Sequence, residues 1–106
     1  MNDETKRIIL DIQKYKGKDF AVLCCIEEMA ELTQALLKDV NRHKDNRNDI
    51  LEEFADVLFS LEHIKNIYDI SDAELYEAIN KKMPSKWSGR IKKWQEREES
   101  KNQGKE

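Results

Sequence analysis

The apolar positions of this chain recur at steps of three and four and never alternate, which is the period of amphipathic helices and not of half-buried strands. Ile8, Ile9 and Ile12 share one face of a first segment, roughly residues 3–15, that runs into the breaker Lys16-Gly17-Lys18. A second segment, roughly residues 19–41, carries Val22, Ile26, Met29, Thr33, Leu37 and Val40, a stripe expected to face the core. The polar linker Arg42 to Asn48 leads to Asp49, the expected N-cap, with Glu52 as its capping-box partner. The third helix follows to about Tyr68, striped by Ile50, Phe54, Val57, Leu61, Ile64 and Tyr68. Ser71-Asp72-Ala73-Glu74 is a capping box for a fourth helix through Leu75, Ala78, Ile79 and Met83, which Pro84 is expected to stop. Trp87, Ile91 and Trp94 predict a short fifth, beyond Ser88-Gly89. From Glu96 onward no residue is apolar, and fraying is expected. The pattern predicts an all-α fold, a compact four- to five-helix bundle around a central antiparallel pair. One domain over residues 1–95 and a polar tail over 96–106 are expected.

Composition narrows the class. With 106 residues, 39% of them charged, and only three Gly and one Pro, two-domain and Gly-rich all-β architectures are excluded. A chain of this length buries only roughly 65% of its unfolded surface, so self-association is expected to add to the core. No stretch approaches the roughly 18 uncharged apolar residues of a membrane span, and the opening MNDETKRIIL does not resemble a secretory signal. A cytoplasmic location and no membrane partner are therefore expected. Cys24 and Cys25 are adjacent, form no CxxC pattern and read as small core residues.

The net charge of −3 hides a segregation. From Glu27 to Glu77 the chain has 14 acids against five bases, whereas Lys81 to Lys93 holds six bases and no acid. The acidic body would repel a nucleic-acid duplex and attract a metal ion, so no nucleic-acid partner is expected.

Two acidic motifs occupy the middle of the two central helices, Glu27-Glu28-x-x-Glu31 and Glu52-Glu53-x-x-Asp56. Residues three apart share a helix face, so Glu28 with Glu31 and Glu53 with Asp56 each aim two carboxylates at one point. On the wheel Glu28 falls among Cys24, Cys25, Leu32 and Ala35, an apolar sector, while Gln34 and Lys38 mark the solvated side. Glu53 borders the edge formed by Ile50, Val57 and Ile64. Carboxylates placed there need compensation, since desolvating an unpaired charge is expensive. Four hard oxygen donors across a helix pair suit Mg²⁺ or Mn²⁺. A di-iron bundle would need Glu-x-x-His motifs, and neither His43 nor His63 supplies one. The alternative is that the four acids form exposed networks on a highly charged bundle.

The run IEEMAELTQAL (residues 26–36) followed by ILEEFADVLFSLEHI (residues 50–64) resembles the signature of the MazG-like all-α nucleoside triphosphate pyrophosphohydrolases, over roughly residues 11–90. The resemblance implies a Mg²⁺-dependent hydrolase that cleaves nucleoside triphosphates between the α and β phosphates, giving monophosphate and pyrophosphate. It implies Glu28, Glu31, Glu53 and Asp56 as metal ligands, with Glu27 orienting the attacking water or simply solvated. It also implies Lys82 as a phosphate contact, with Lys86 and Arg90 less regularly placed because Pro84 and Ser88-Gly89 interrupt the segment. Members of that family form homodimers or homotetramers through the central helices. Tyr15, Phe20, Trp87 and Trp94 are possible base-stacking residues or plain core, and His63, two turns beyond Asp56, is expected to be exposed. The competing functional readings are a non-catalytic helical oligomer that keeps the fold, and a nucleic-acid module built on Lys81 to Lys93.

Overall fold

The structure, a computed structural model, describes residues 1–42 and 45–103. It is all-α among these residues, as expected, but has three helices and not four or five: α1 (Asp3–Arg42), α2 (Arg47–Ile67) and α3 (Asp72–Gln103). His43 lies outside the described residues, as does the end of the polar tail from residue 104. No helix among them is long and apolar enough to cross a membrane. The chain divides into two units, Met1–Asp69 with α1 and α2, and Ile70–Glu106 with α3.

In the first unit the expected first and second helices are joined through Lys16-Gly17-Lys18, with one residue, Gly17, out of helical geometry at φ 77° and ψ −171°. The break is confined to the residue that tolerates that backbone conformation, so helix resumes immediately on either side. The Asn2 Oδ1 caps the N-terminus by accepting from the Thr5 N–H at 2.9 Å.

The linker after Arg42 turns α2 back along α1. The pairing is antiparallel: Asn46 Nδ2 donates to the Ala35 carbonyl at 2.8 Å near the turn, and Lys18 Nζ sits 4.8 Å above the Tyr68 ring at the other end. The helix begins at Arg47, two residues before the expected cap Asp49, and its capping residue Asn46 makes no side-chain cap bond. Asn46 spends its amide on α1 instead, which fixes where the turn meets the first helix.

The seam between α1 and α2 is offset from the stripes expected from the sequence, of which Val57 is buried and Val22, Ile50 and Ile64 are half-buried. Ala21, Cys25 and Ala35 are buried on α1, and Val57, Ser60 and His63 on α2. Ile26, Met29, Leu37 and Val40 of the expected α1 stripe are exposed, as are Phe54, Leu61 and Tyr68 of the α2 stripe. Small side chains let two helices approach closely, and the larger apolar residues are left on a second face. On α1 the seam runs through Ala21, Cys25, Glu28, Leu32 and Ala35, alternating steps of four and three as in knobs-into-holes packing. Cys24 and Cys25 are free thiols, Cys25 buried as expected and Cys24 half-buried.

In the second unit, Ser71 caps α3 as expected, its Oγ accepting from the Glu74 N–H at 3.1 Å. The helix then continues through Pro84 and Gly89 to Gln103, merging the expected fourth and fifth helices and extending past Glu96. Proline removes one N–H and crowds the carbonyl four residues back. Here α3 buries no residue, so water can reach that carbonyl, and the Ser85 hydroxyl donates to the neighbouring Lys82 carbonyl at 3.2 Å. Trp87 and Trp94 meet with ring centroids 6.2 Å apart, and the Arg90 guanidinium lies 4.9 Å above the Trp87 ring.

Candidate metal centre

Glu28 and Glu31 stand one turn apart on α1, Glu53 and Asp56 one turn apart on α2, and the antiparallel register brings the two pairs level. One carboxylate oxygen from each of the four residues lies within 4.8 Å of the others, a group able to hold a metal ion. Glu28 and Glu53 occupy the seam and are half-buried, while Glu31 and Asp56 lie toward solvent. The wheel position of Glu28 in an apolar sector is therefore borne out.

The electrostatics show carboxyls that raise one another's proton affinity. The Glu28 carboxyl is pushed above its ordinary 4.5, first by burial, then by the charges of Glu31, Asp56 and Glu53. The Glu53 carboxyl is pushed up by burial, by a hydrogen bond with Glu31, and by the charges of Glu31, Asp56 and Glu52. One oxygen of each, Glu28 Oε2 and Glu53 Oε2, is out of water with no hydrogen-bond partner among the described residues. Buried acceptors without donors are costly, and a divalent cation is the partner that would satisfy several at once. The donor set thus fits a hard cation.

Two clefts flank the carboxylates along the hairpin. On the side of the turn, Glu31 and Glu53 share a cleft of about 160 Å³ with Lys38, Asn46 and Asp49. Lys38, which the helical wheel assigns to the solvated side, thus reaches the edge of the acidic group, because the cleft opens at the boundary of the seam. On the opposite side, Glu28 and Asp56 open into a cavity of about 270 Å³ bounded by Ile12, Phe20, Phe59 and His63. His63 is only 4% exposed, contrary to expectation, since this end of the hairpin is covered by the segment before Gly17. Burial pushes its imidazole pKa below the ordinary 6.5. The one signal for this in the sequence was its position seven residues after Asp56, two turns along the same face.

The other expected site residues lie elsewhere in the sequence order of the helices, Glu27 on α1 and the three cations on α3. Glu27 is exposed on α1. Lys82, Lys86 and Arg90 are exposed along α3 in the second unit, with Lys86 Nζ 5.8 Å from the Trp87 ring. Lys65 of α2 pairs with Glu62 of its own helix at 3.0 Å. Tyr15 is 75% exposed, and Phe20 borders the cavity beside the carboxylates.

Among known proteins, no protein-family model, no curated protein and no solved structure matches the chain.

Proposed function

We propose that this chain is a Mg²⁺-dependent nucleoside triphosphate pyrophosphohydrolase of the MazG-like all-α type, acting on (d)NTPs to yield monophosphate and pyrophosphate and so clearing nucleotide pools. The observation that carries the reading is the convergence of Glu28, Glu31, Glu53 and Asp56 from two antiparallel helices onto one point. The resemblance of EExxE and ExxD to that family supplies the reaction class.

Glu28, Glu31, Glu53 and Asp56 would hold Mg²⁺, with Mn²⁺ as a substitute from the same class of hard cations. Bound there, the ion supplies neutralisation of phosphate charge and a water of lowered pKa. Around it the protein chiefly positions and neutralises. Glu27, exposed one residue before Glu28, is the side chain assigned to orient the attacking water. Lys82, with Lys86 and Arg90, is assigned to the β and γ phosphates, where three cations would offset charge on the departing pyrophosphate. The exposed apolar faces of α1 and α2 are assigned to a homodimer or homotetramer.

The test is pyrophosphate release from a panel of NTPs and dNTPs with Mg²⁺ or Mn²⁺, set beside Glu53→Gln. Metal-dependent release with monophosphate as co-product, lowered at least about 10²-fold in the variant, is the expected result. Absence of turnover across the panel would leave the non-catalytic oligomer as the better description.

A further inference from the structure

Helix α3 carries an apolar pattern that the carboxylate group leaves unused. Ile79, Met83, Trp87, Ile91 and Trp94 follow one another at steps of four, four, four and three, so they keep to one side of the helix over about 22 Å. Met83 is half-buried and the other four are exposed, Trp94 by 49%. A helix in a protein draws most of its stability from packing its apolar face, and α3 buries no residue. The charge on α3 says what kind of contact the stripe suits. Lys81 to Lys93 holds six bases and no acid, while Asp72, Glu74 and Glu77 precede this stretch and Glu96, Glu98 and Glu99 follow it. On the helical wheel Lys86 and Lys93 border the stripe on one side, and Lys81 and Lys92 stand beyond it on the other. Between the two tryptophans, the Arg90 guanidinium lies over the Trp87 ring.

We propose that residues 79–94 of α3 form a peripheral binding surface for anionic lipid bilayers, with Trp87 and Trp94 set among the headgroups and Lys81, Lys92 and Lys93 drawn to lipid phosphates. A flat anionic surface over an apolar layer meets every feature of the segment. The aliphatic side chains reach the acyl boundary, the indoles sit where one edge is apolar and the other wet, and the lysine stems lie along carbon while their ammonium groups stay in water. A strand of nucleic acid would use the lysines and tryptophans but give Ile79, Met83 and Ile91 no role. Pairing with the α3 of a second copy would set bases against bases, since they occupy the middle of the helix in either orientation. That no helix among the described residues can cross a membrane bears on spanning and not on lying at the surface. The surface is independent of the catalytic reading, because Lys81, Lys92 and Lys93 are not among the cations assigned there to the β and γ phosphates.

Both tryptophans of the chain lie in this segment, so indole emission reports on it alone. The probes are vesicles of phosphatidylcholine, with and without phosphatidylglycerol, mixed with the full chain. Flotation with the anionic vesicles, a blue shift of the emission and shielding from acrylamide are expected, with none of the three on pure phosphatidylcholine. Added salt should weaken the partitioning, since the screening length is only about 10 Å at 0.1 M and shrinks further above it. The double variant Lys92→Glu, Lys93→Glu should weaken it at least about tenfold. Trp94→Ala should weaken it about tenfold, and Trp94→Phe should recover most of that loss. All three positions are exposed, so helix content by circular dichroism should be kept in each variant.

No flotation with anionic vesicles overturns the proposal, and so does equal flotation with neutral ones. Undiminished flotation of both the double variant and Trp94→Ala removes this segment from the contact and overturns it as well. An emission change with single-stranded oligonucleotides that anionic vesicles fail to displace makes the segment a nucleic-acid site instead. A blue shift that grows with protein concentration alone, follows a rise in mass by light scattering and is lost in Trp94→Ala means that a second copy already covers the stripe, which also overturns the lipid assignment. Pyrophosphate release decides none of these outcomes, so the two readings stand or fall separately.

Discussion

Glu28 and Glu53 each keep one oxygen away from water with no donor among the described residues to meet it, and both carboxyls hold their protons above the ordinary 4.5. The sign of the resulting pH dependence is fixed. A carboxyl with a raised folded-state pKa binds its proton more tightly in the native chain than in the unfolded one. Its contribution is fully present below 4.5 and is lost as pH rises through the raised value. The metal-free protein should therefore gain thermal stability on mild acidification from neutrality, and saturating Mg²⁺ should abolish that gain. His63 works in the opposite sense, since its lowered pKa makes its contribution present above 6.5 and lost as pH falls. Melting curves of wild type and Glu28→Gln separate the two: the variant should melt higher than wild type without metal near neutrality, show less gain on acidification, and lose the Mg²⁺-dependent shift. A second prediction concerns Asn46. Its Nδ2 bond to the Ala35 carbonyl is buried and ties the start of α2 to α1, so Asn46→Ala should cost about 0.5–1.5 kcal/mol in denaturant unfolding by removing that bond.

The helices show why some of this was legible in the sequence and some was not. Period three-and-four gave the all-α class, and the antiparallel pair follows from a short polar linker between two such patterns. The carboxylate set was legible for the same reason, because three-residue spacing places two groups on one face whatever the helix length. The phase of the seam was not legible. Large apolar residues such as Ile26, Leu37 and Phe54 dominate a wheel, yet small Ala21, Cys25, Ala35 and Ser60 allow the closer approach and take the interior. Breakers misled in the count of helices for two distinct reasons: Gly17 absorbs the break within a single residue, and Pro84 sits on a helix with water along its length. The two glycines should consequently respond in opposite directions to alanine. Gly17→Ala meets no atom within 4 Å, but its positive φ with extended ψ is nearly glycine-only, so a loss of about 1–3 kcal/mol is expected. Gly89→Ala, in open space within regular helix, should stabilise α3 by about 0.5–1 kcal/mol. Chemical denaturation of the first and helicity by circular dichroism of the second are the measurements.

Taken together, the described residues leave many large apolar side chains exposed to water. Leu23 is 63% exposed and Val40 65%, and both belong to an α1 face whose neighbours are also exposed. Contiguous apolar patches of this kind mark interaction surfaces. Light scattering coupled to size exclusion should return a dimer or tetramer mass, and Val40→Glu should shift it toward monomer while Mn²⁺ affinity is kept, since Val40 lies three turns from Glu28. The break at Gly17 has one more consequence, for how the protein can be damaged. Ile12, on the segment before the break, forms part of the cavity wall, whereas the four carboxylates depend on α1 after the break and on α2. A lesion at position 17 would therefore divide the molecule's faults: the four-carboxylate group keeps its geometry while the wall of the neighbouring chamber is displaced.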